Sequence, residues 1–282
     1  MLLRLSLEFQ CVLLLHRRIE KIGMSSYPIL VKSGRYEAVQ YFKPQLPEKP
    51  KEPELKLVKK NWFEKLILWC DDYDDECINN QRKERYAIQM EEYRRKLSDY
   101  YRKVNEILSE TQLNIFRKAE REKAIQAYDS GTPLAHDVRK GRHEEEFYSR
   151  LRSRFGDKIT NSIEFVLPNG NAFVPDAAYI DKQSGLCIDI EIDEPYTIPE
   201  RIPIHCIGED DYRNNYFSIR GWFVIRFAEE QVARYPDACI SYINSFINGI
   251  MDNEIPLFDH RIERWTRLEA YRMADENIRE RY

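Results

Sequence analysis

Apolar residues follow two regimes along this chain. Between Lys59 and Tyr128 they recur at helical spacing. Trp62, Phe63, Leu66, Ile67 and Cys70 form one stripe, and the acidic run 71–76 breaks it. Tyr86, Met90, Tyr93, Leu97, Tyr100, Val104 and Ile107 then alternate steps of four and three, a heptad-like seam flanked by Arg, Lys and Glu. After the Gly131 and Pro133 break, helical and strand-like patterns take turns. A helix carrying Phe147, Leu151 and Phe155 should end at Gly156, and strands are expected at 162–167 and 172–180 about a Pro168-Asn169-Gly170 turn. A third strand follows at 186–193, then a helix at 209–219 ended by Gly221, a buried strand WFVIRF and a helix from Ala228. This order predicts a compact α/β unit, a small mixed sheet flanked by helices. The tail from Asp259, around Trp265 and Tyr271, reads as one more helix.

The remainder is less patterned. Residues 25–42 hold short apolar runs, and Pro44, Pro47, Pro50 and Pro53 at intervals of three predict an extended linker. Met24 opens a second, ordinary start, so 1–23 is either an upstream extension or a short strand or helix. The expected division is a tail and linker at 1–58, a helical arm at 59–130, the α/β domain at 138–256 and a C-terminal helix at 257–282.

A net charge of −4 means that any polyanion-binding surface must be local. Basic residues do cluster, at Arg139, Lys140, Arg142, Arg150, Arg152 and Arg154, preceded by Arg117, Lys118, Arg121 and Lys123. Such a strip can follow a phosphate backbone or simply solvate a helix. The six cysteines form no CxxC pair, which argues against a zinc site and for reduced thiols in a cytoplasmic protein. No run reaches membrane-spanning length.

The strand at 186–193 carries the chemistry. Strand side chains alternate faces, so Asp189, Glu191 and Asp193 share one face and Ile188, Ile190 and Ile192 the other. Three carboxylates over about 13 Å repel one another. The face must be solvated, neutralised by arginines, or occupied by a cation. Asp176, after Pro175 in the preceding strand, can approach Asp189 or Glu191 across an antiparallel pair. Glu144 lies three and seven positions ahead of Phe147 and Leu151, at the end of the core-facing stripe. Oxygen donors from two strands and a helix suit a hard divalent ion.

Glu144, Pro175-Asp176 and the Asp189–Asp193 cluster resemble the Glu…PD…(D/E)xK pattern of the restriction-endonuclease-like nuclease superfamily. A longer match over roughly 139–250 is to its branch of very-short-patch-repair-endonuclease-like proteins. There Ile190–Asp193, Asp210 with Arg213, and Gly221–Phe227 follow in the branch's order. The resemblance implies a restriction-endonuclease-like core and Mg²⁺- or Mn²⁺-dependent hydrolysis of phosphodiester bonds, in DNA or RNA. By that resemblance Asp176 and Glu191 hold the ion, Asp189 or Asp193 completes its coordination, and Glu144 positions a second ion or a water. Arg139, Lys140, Arg142, Arg213 and Arg226 are then candidates to contact nucleic acid, Arg226 with structural neutralisation as its stronger role. The superfamily's lysine is missing: Asp193 takes its place if Glu191 is the strand acid, and Glu191 does if Asp189 is; Lys182 and Gln231 are the candidate substitutes. His205, on the loop after the acidic strand, is a candidate assistant. A nuclease-fold scaffold without catalysis is the competing reading, and the 86–107 seam is a candidate homo-oligomer contact.

Overall fold

The computed structural model describes residues 26–40, 47–55, 72–106, 110–135 and 141–282. Residues 1–23, the Trp62–Cys70 stripe, Ile107 and the pair Arg139 and Lys140 lie outside the described residues. Two compact units are present: Phe42–Phe116, and Met1–Tyr41 with Arg117–Tyr282.

In chain order the elements are β1 (Ser26–Tyr27), β2 (Ile29–Val31), α1 (Gly34–Val39), α2 (Asp72–Glu106), α3 (Glu110–Ala124), β3 (Thr132–Pro133) and α4 (Glu144–Phe155). There follow β4 (Ile159–Thr160), β5 (Ile163–Val166), β6 (Ala172–Phe173), β7 (Ala177–Asp181), β8 (Leu186–Asp193), α5 (Asp211–Ile219) and β9 (Phe223–Ala228). The last are α6 (Glu229–Arg234), α7 (Pro236–Gly249), β10 (Ile262–Glu263) and α8 (Arg267–Asp275).

In the first-named unit α2 is one helix that starts at Asp72, inside the acidic stretch expected to break the pattern. Acidic residues favour a helix N-terminus, so the stretch opens the helix instead. From Tyr86 to Val104 the seam residues are half-buried and every residue between them is exposed. Side chains three and four apart shield one another along one face, which is the pattern the heptad spacing predicts.

The other unit is built on a five-stranded mixed sheet ordered β2-β9-β8-β7-β4. β8 and β9 run parallel, and the other neighbours pair antiparallel. One sheet face packs Ile188, Ile190, Ile192, Phe223, Ile225 and Phe227 against Phe147 and Leu151 of α4 and Cys239, Ile243 and Phe246 of α7. The opposite face packs Ala178, Cys187 and Val224 against Phe217 of α5, Phe165 of β5 and Ala270 of α8. The fold is therefore mixed α/β, with helices on both faces of the sheet.

Three differences from the sequence expectation shape the site. The predicted 172–180 strand is two strands: β6 pairs with β5 as the expected hairpin, and β7 pairs with β8 in the main sheet. Pro175 lies between them and has no N–H for a ladder, so the chain changes sheets there. Residues 29–31, expected in a tail, form the outer strand β2 against β9. The C-terminal segment is also integral, since β10 pairs with β1 and the Tyr27 and Trp265 rings stand 5.0 Å apart. Runs of two or three apolar residues carry no periodicity, so these strands leave no local signal. Gly221 is required where α5 turns into β9: its φ is +86°, and a Cβ there would meet the Gln126 carbonyl oxygen at 2.9 Å. Among the described residues Cys77, Cys187, Cys206 and Cys239 are free, and no helix is long and apolar enough to cross a membrane.

Candidate functional site

β8 is the middle strand, and all eight of its residues are buried. The solvated-edge explanation of its acidic face fails here: Asp189, Glu191 and Asp193 are only 0%, 2% and 1% exposed. The three carboxylates do share a face, as alternation requires, and an arginine enters it from β9. The parallel register sets Arg226 opposite Glu191. Its Nε and Nη2 donate to both Asp193 oxygens at 2.9 and 2.6 Å, Nη1 donates to Asn214 Oδ1 at 3.3 Å, and Nη2 lies 3.2 Å from Asp210. At 0% exposure Arg226 offers no surface to a phosphate. The strand geometry makes it an internal counter-ion, so its candidacy as a nucleic-acid contact does not hold.

Arg213, on α5, supplies the second counter-charge. Its Nη2 donates to Glu191 and, at 2.8 Å, to the Val174 carbonyl. Its Nε is 3.9 Å from Asp189. The Asp189 carboxyl interacts with Glu191 on the same strand face. Burial, with Glu191 adding to it, pushes the Asp189 carboxyl well above the usual range, so this group is held neutral. A neutral carboxyl there costs far less than a buried unpaired charge.

Asp176 sits one position before the Ala177–Ile190 pair, and therefore against Glu191. One of its oxygens accepts from the Ile192 N–H at 2.7 Å, and the residue is only half-buried by its surroundings. Burial of the carboxyl group itself, then Glu191 and Glu144, raise its pKa well above normal. Glu144 opens α4, half-buried as its place on the stripe predicts, and accepts from the Gly141 N–H. A Cβ on Gly141 would collide with Glu144 Oε1 at 2.5 Å and Glu194 Oε1 at 2.4 Å. The missing side chain thus lets two carboxylates approach one point. Glu194 lies just past β8, and burial, with Glu229 and Glu144 adding to it, pushes its pKa up to about 7. Glu144 and Glu194 line a cleft of about 600 Å³ whose other wall includes Arg279.

Arg279 is itself an internal counter-ion. It binds Glu229, the first residue of α6, through Nε and Nη2 at 2.5 and 2.6 Å, donates to the Tyr196 carbonyl at 2.7 Å and reaches Glu194 at 3.7 Å. The 257–282 segment therefore completes the site rather than trailing from it. Sequence reasoning passed over Glu194, Glu229 and Arg279. Only the IEID run continuing into Glu194 hinted at the first, and nothing local hinted at the others. The two lysine substitutes also find their places. Gln231 is fully buried, its side chain holding the Ala228 N–H and the Tyr27 and His260 carbonyls, so it has no free group for water. Lys182 is exposed in the turn before Leu186, at the other end of β8 from Glu191.

Asp193, His205 and Asp210 bring three ligand atoms within 4.8 Å of one another. That position already holds cations. Arg226 bridges Asp193 and Asp210, and His205 Nδ1 is 3.2 Å from Asp210 and 3.5 Å from Asp193. Burial would favour the neutral ring, but Asp193 and Asp210 outweigh it and hold the His205 pKa up at about 9. Asp210 is correspondingly depressed to about 2: burial opposes this, and His205 and Arg226 override it. A folded-state pKa above the unfolded one stabilises fully below about 6.5, and that stabilisation is lost as pH rises through about 9. The His205→Gln variant is expected to lose this contribution, about 3 kcal/mol at the linkage value per unit. In urea titrations at pH 6 and pH 9.5, wild type should therefore weaken more than the variant. Equal declines would mean the ring is neutral throughout.

The basic strip is largely paired. Arg150 bonds Glu146 and Asp237, Arg152 bonds Asp157, Arg154 bonds Asn244, and Lys118 bonds Asp252. Such exposed pairs are worth about 0–1 kcal/mol and exchange readily. Arg142 is exposed beside the cleft, 3.5 Å from Glu280. Compared with family models, curated proteins and solved structures, the chain matches none.

Proposed function

We propose that this protein is a metal-dependent endonuclease with a restriction-endonuclease-like core. The observation that carries the reading is that Asp176, just before β7, stands against Glu191 of β8, with Glu144 of α4 near enough to act on it and lining a cleft. The donor chemistry suits Mg²⁺ or Mn²⁺, because carboxylate oxygens are what hard cations prefer. Asp176 and Glu191 would hold the ion, with Glu144 beside them. A bound ion would supply neutralisation of phosphate charge and a more acidic water. Asp193 is engaged by Arg226 and stays outside this set; Asp189, neutral and buried, supports Glu191 from within the strand. Arg213 pairs with Glu191 and would be the group released toward substrate phosphate were an ion to take Glu191.

The competing reading, a nuclease-fold scaffold, draws support from the complete pairing of Glu191 and Asp193 by arginines. One assay separates them. The purified chain, incubated with plasmid and oligonucleotide DNA and RNA, should cut only with Mg²⁺ or Mn²⁺ present. Intact substrate under all of these conditions would leave the scaffold.

We also propose that the α2 seam pairs between copies of the chain. Replacing Leu97 and Val104 by Glu should then yield a monomer by light scattering, with helicity retained. An unchanged mass would reject the pairing.

A further inference from the structure

We propose that the cleft beside Glu144 takes a single unpaired nucleotide, so that the substrate is a single strand or a flipped nucleotide rather than continuous duplex. This rests on the nuclease reading and adds its substrate class. Three observations support it. First, at about 600 Å³ the cleft has the size of pockets that enclose one small ligand, roughly 300–1,000 Å³. A duplex is instead recognised across an open surface, burying on the order of 1,000 Å² or more of protein.

Second, beside the carboxylates of Glu144, Glu194 and Glu280 the lining holds both apolar surface and a rim cation. Ile198 and Ile204 offer apolar surface to a base, and Arg142 stands at the rim for a phosphate. Arg142 now meets Glu280 in an exposed pair, weak enough for phosphate to displace. Glu144 lines the cleft and belongs to the proposed ion-binding set, so a nucleotide seated there lies beside that set. Third, duplex binding without such a pocket relies on a continuous basic track. Among the described residues, Arg150, Arg152, Lys118 and Lys123 each stand beside an acid, so the strip along α4 and α3 is of mixed charge rather than a continuous basic track. Enzymes that enclose one nucleotide take it unpaired or pay its extrusion from the stack.

The test is binding, measured by fluorescence anisotropy on the full chain with Ca²⁺ in place of Mg²⁺, using a labelled single-stranded oligonucleotide and the same sequence as a duplex. The single strand should bind at least roughly tenfold more tightly, and Ile198→Trp, which fills the cleft, should erase that preference. Ile198 is 39% exposed, so the variant should keep the wild-type melting temperature. Equal or tighter binding of duplex, or an unchanged preference in Ile198→Trp, would overturn the proposal. Failure of the nuclease reading shows separately, as absence of Mg²⁺-dependent cleavage with the strand preference intact.

Discussion

Arg226→Ala is expected to destabilise the fold by about 3–5 kcal/mol, the usual cost of removing one partner from a buried ion pair. The variant would leave Asp193, at 1% exposure, without its two donated hydrogen bonds, and would remove the cation shared with Asp210 and Glu191. His205 would remain as a positive group against Asp193 and Asp210. Since a domain's total stability is about 5–15 kcal/mol, the loss is a large fraction of it. Arg226→Lys should recover only part of the loss, because an ammonium cannot bond both Asp193 oxygens and Asn214 at once. Adding Asp193→Leu to Arg226→Leu should recover more, since a buried pair replaced by apolar groups is often neutral. Urea midpoints of the four variants decide the matter. A wild-type midpoint for Arg226→Ala would show that this arginine does not neutralise the strand.

Asp176→Asn is expected to abolish metal-dependent cleavage, by roughly a thousandfold or more, because an ion contributes several kcal/mol to such a reaction. Folding should survive. The wild-type carboxyl is already held toward its neutral form, and an amide oxygen can still accept from Ile192 N–H. Glu191→Ala should lose cleavage too, but with a stability penalty that Asp176→Asn lacks, because Arg213 would lose its main partner. The two variants thus separate ion binding from charge balance. Metal should raise the melting temperature of wild type, with a stabilisation of about 2.7 kcal/mol at a hundredfold excess over the dissociation constant. In Asp176→Asn the rise should disappear. It should also be larger at pH 8 than at pH 6 in wild type, because the ion must displace a proton from a carboxyl whose pKa is raised. Equal melting shifts in wild type and Asp176→Asn would take Asp176 out of the ion's coordination.

Local periodicity was enough to determine most elements of the sheet-bearing unit. Alternation over 186–193 put the three acids on one face, the Phe147–Leu151 spacing set the buried side of α4, and Gly156 and Gly221 marked where helices end. Each of these depends on neighbours within one or two turns, so the chain carries the information in adjacent positions. The balance of charge did not work that way. Arg226 neutralises Asp193 because a parallel register across 33 residues of sequence places them together, and no local pattern encodes register. The same holds for Ile29–Val31 completing the sheet, and for Arg279 reaching Glu229 and Glu194 from the end of the chain. Whether an acidic strand is solvated or arginine-paired depends on which distant cations arrive. That was settled by tertiary structure, because a buried carboxylate's energy is decided by what surrounds it rather than by its place in the chain.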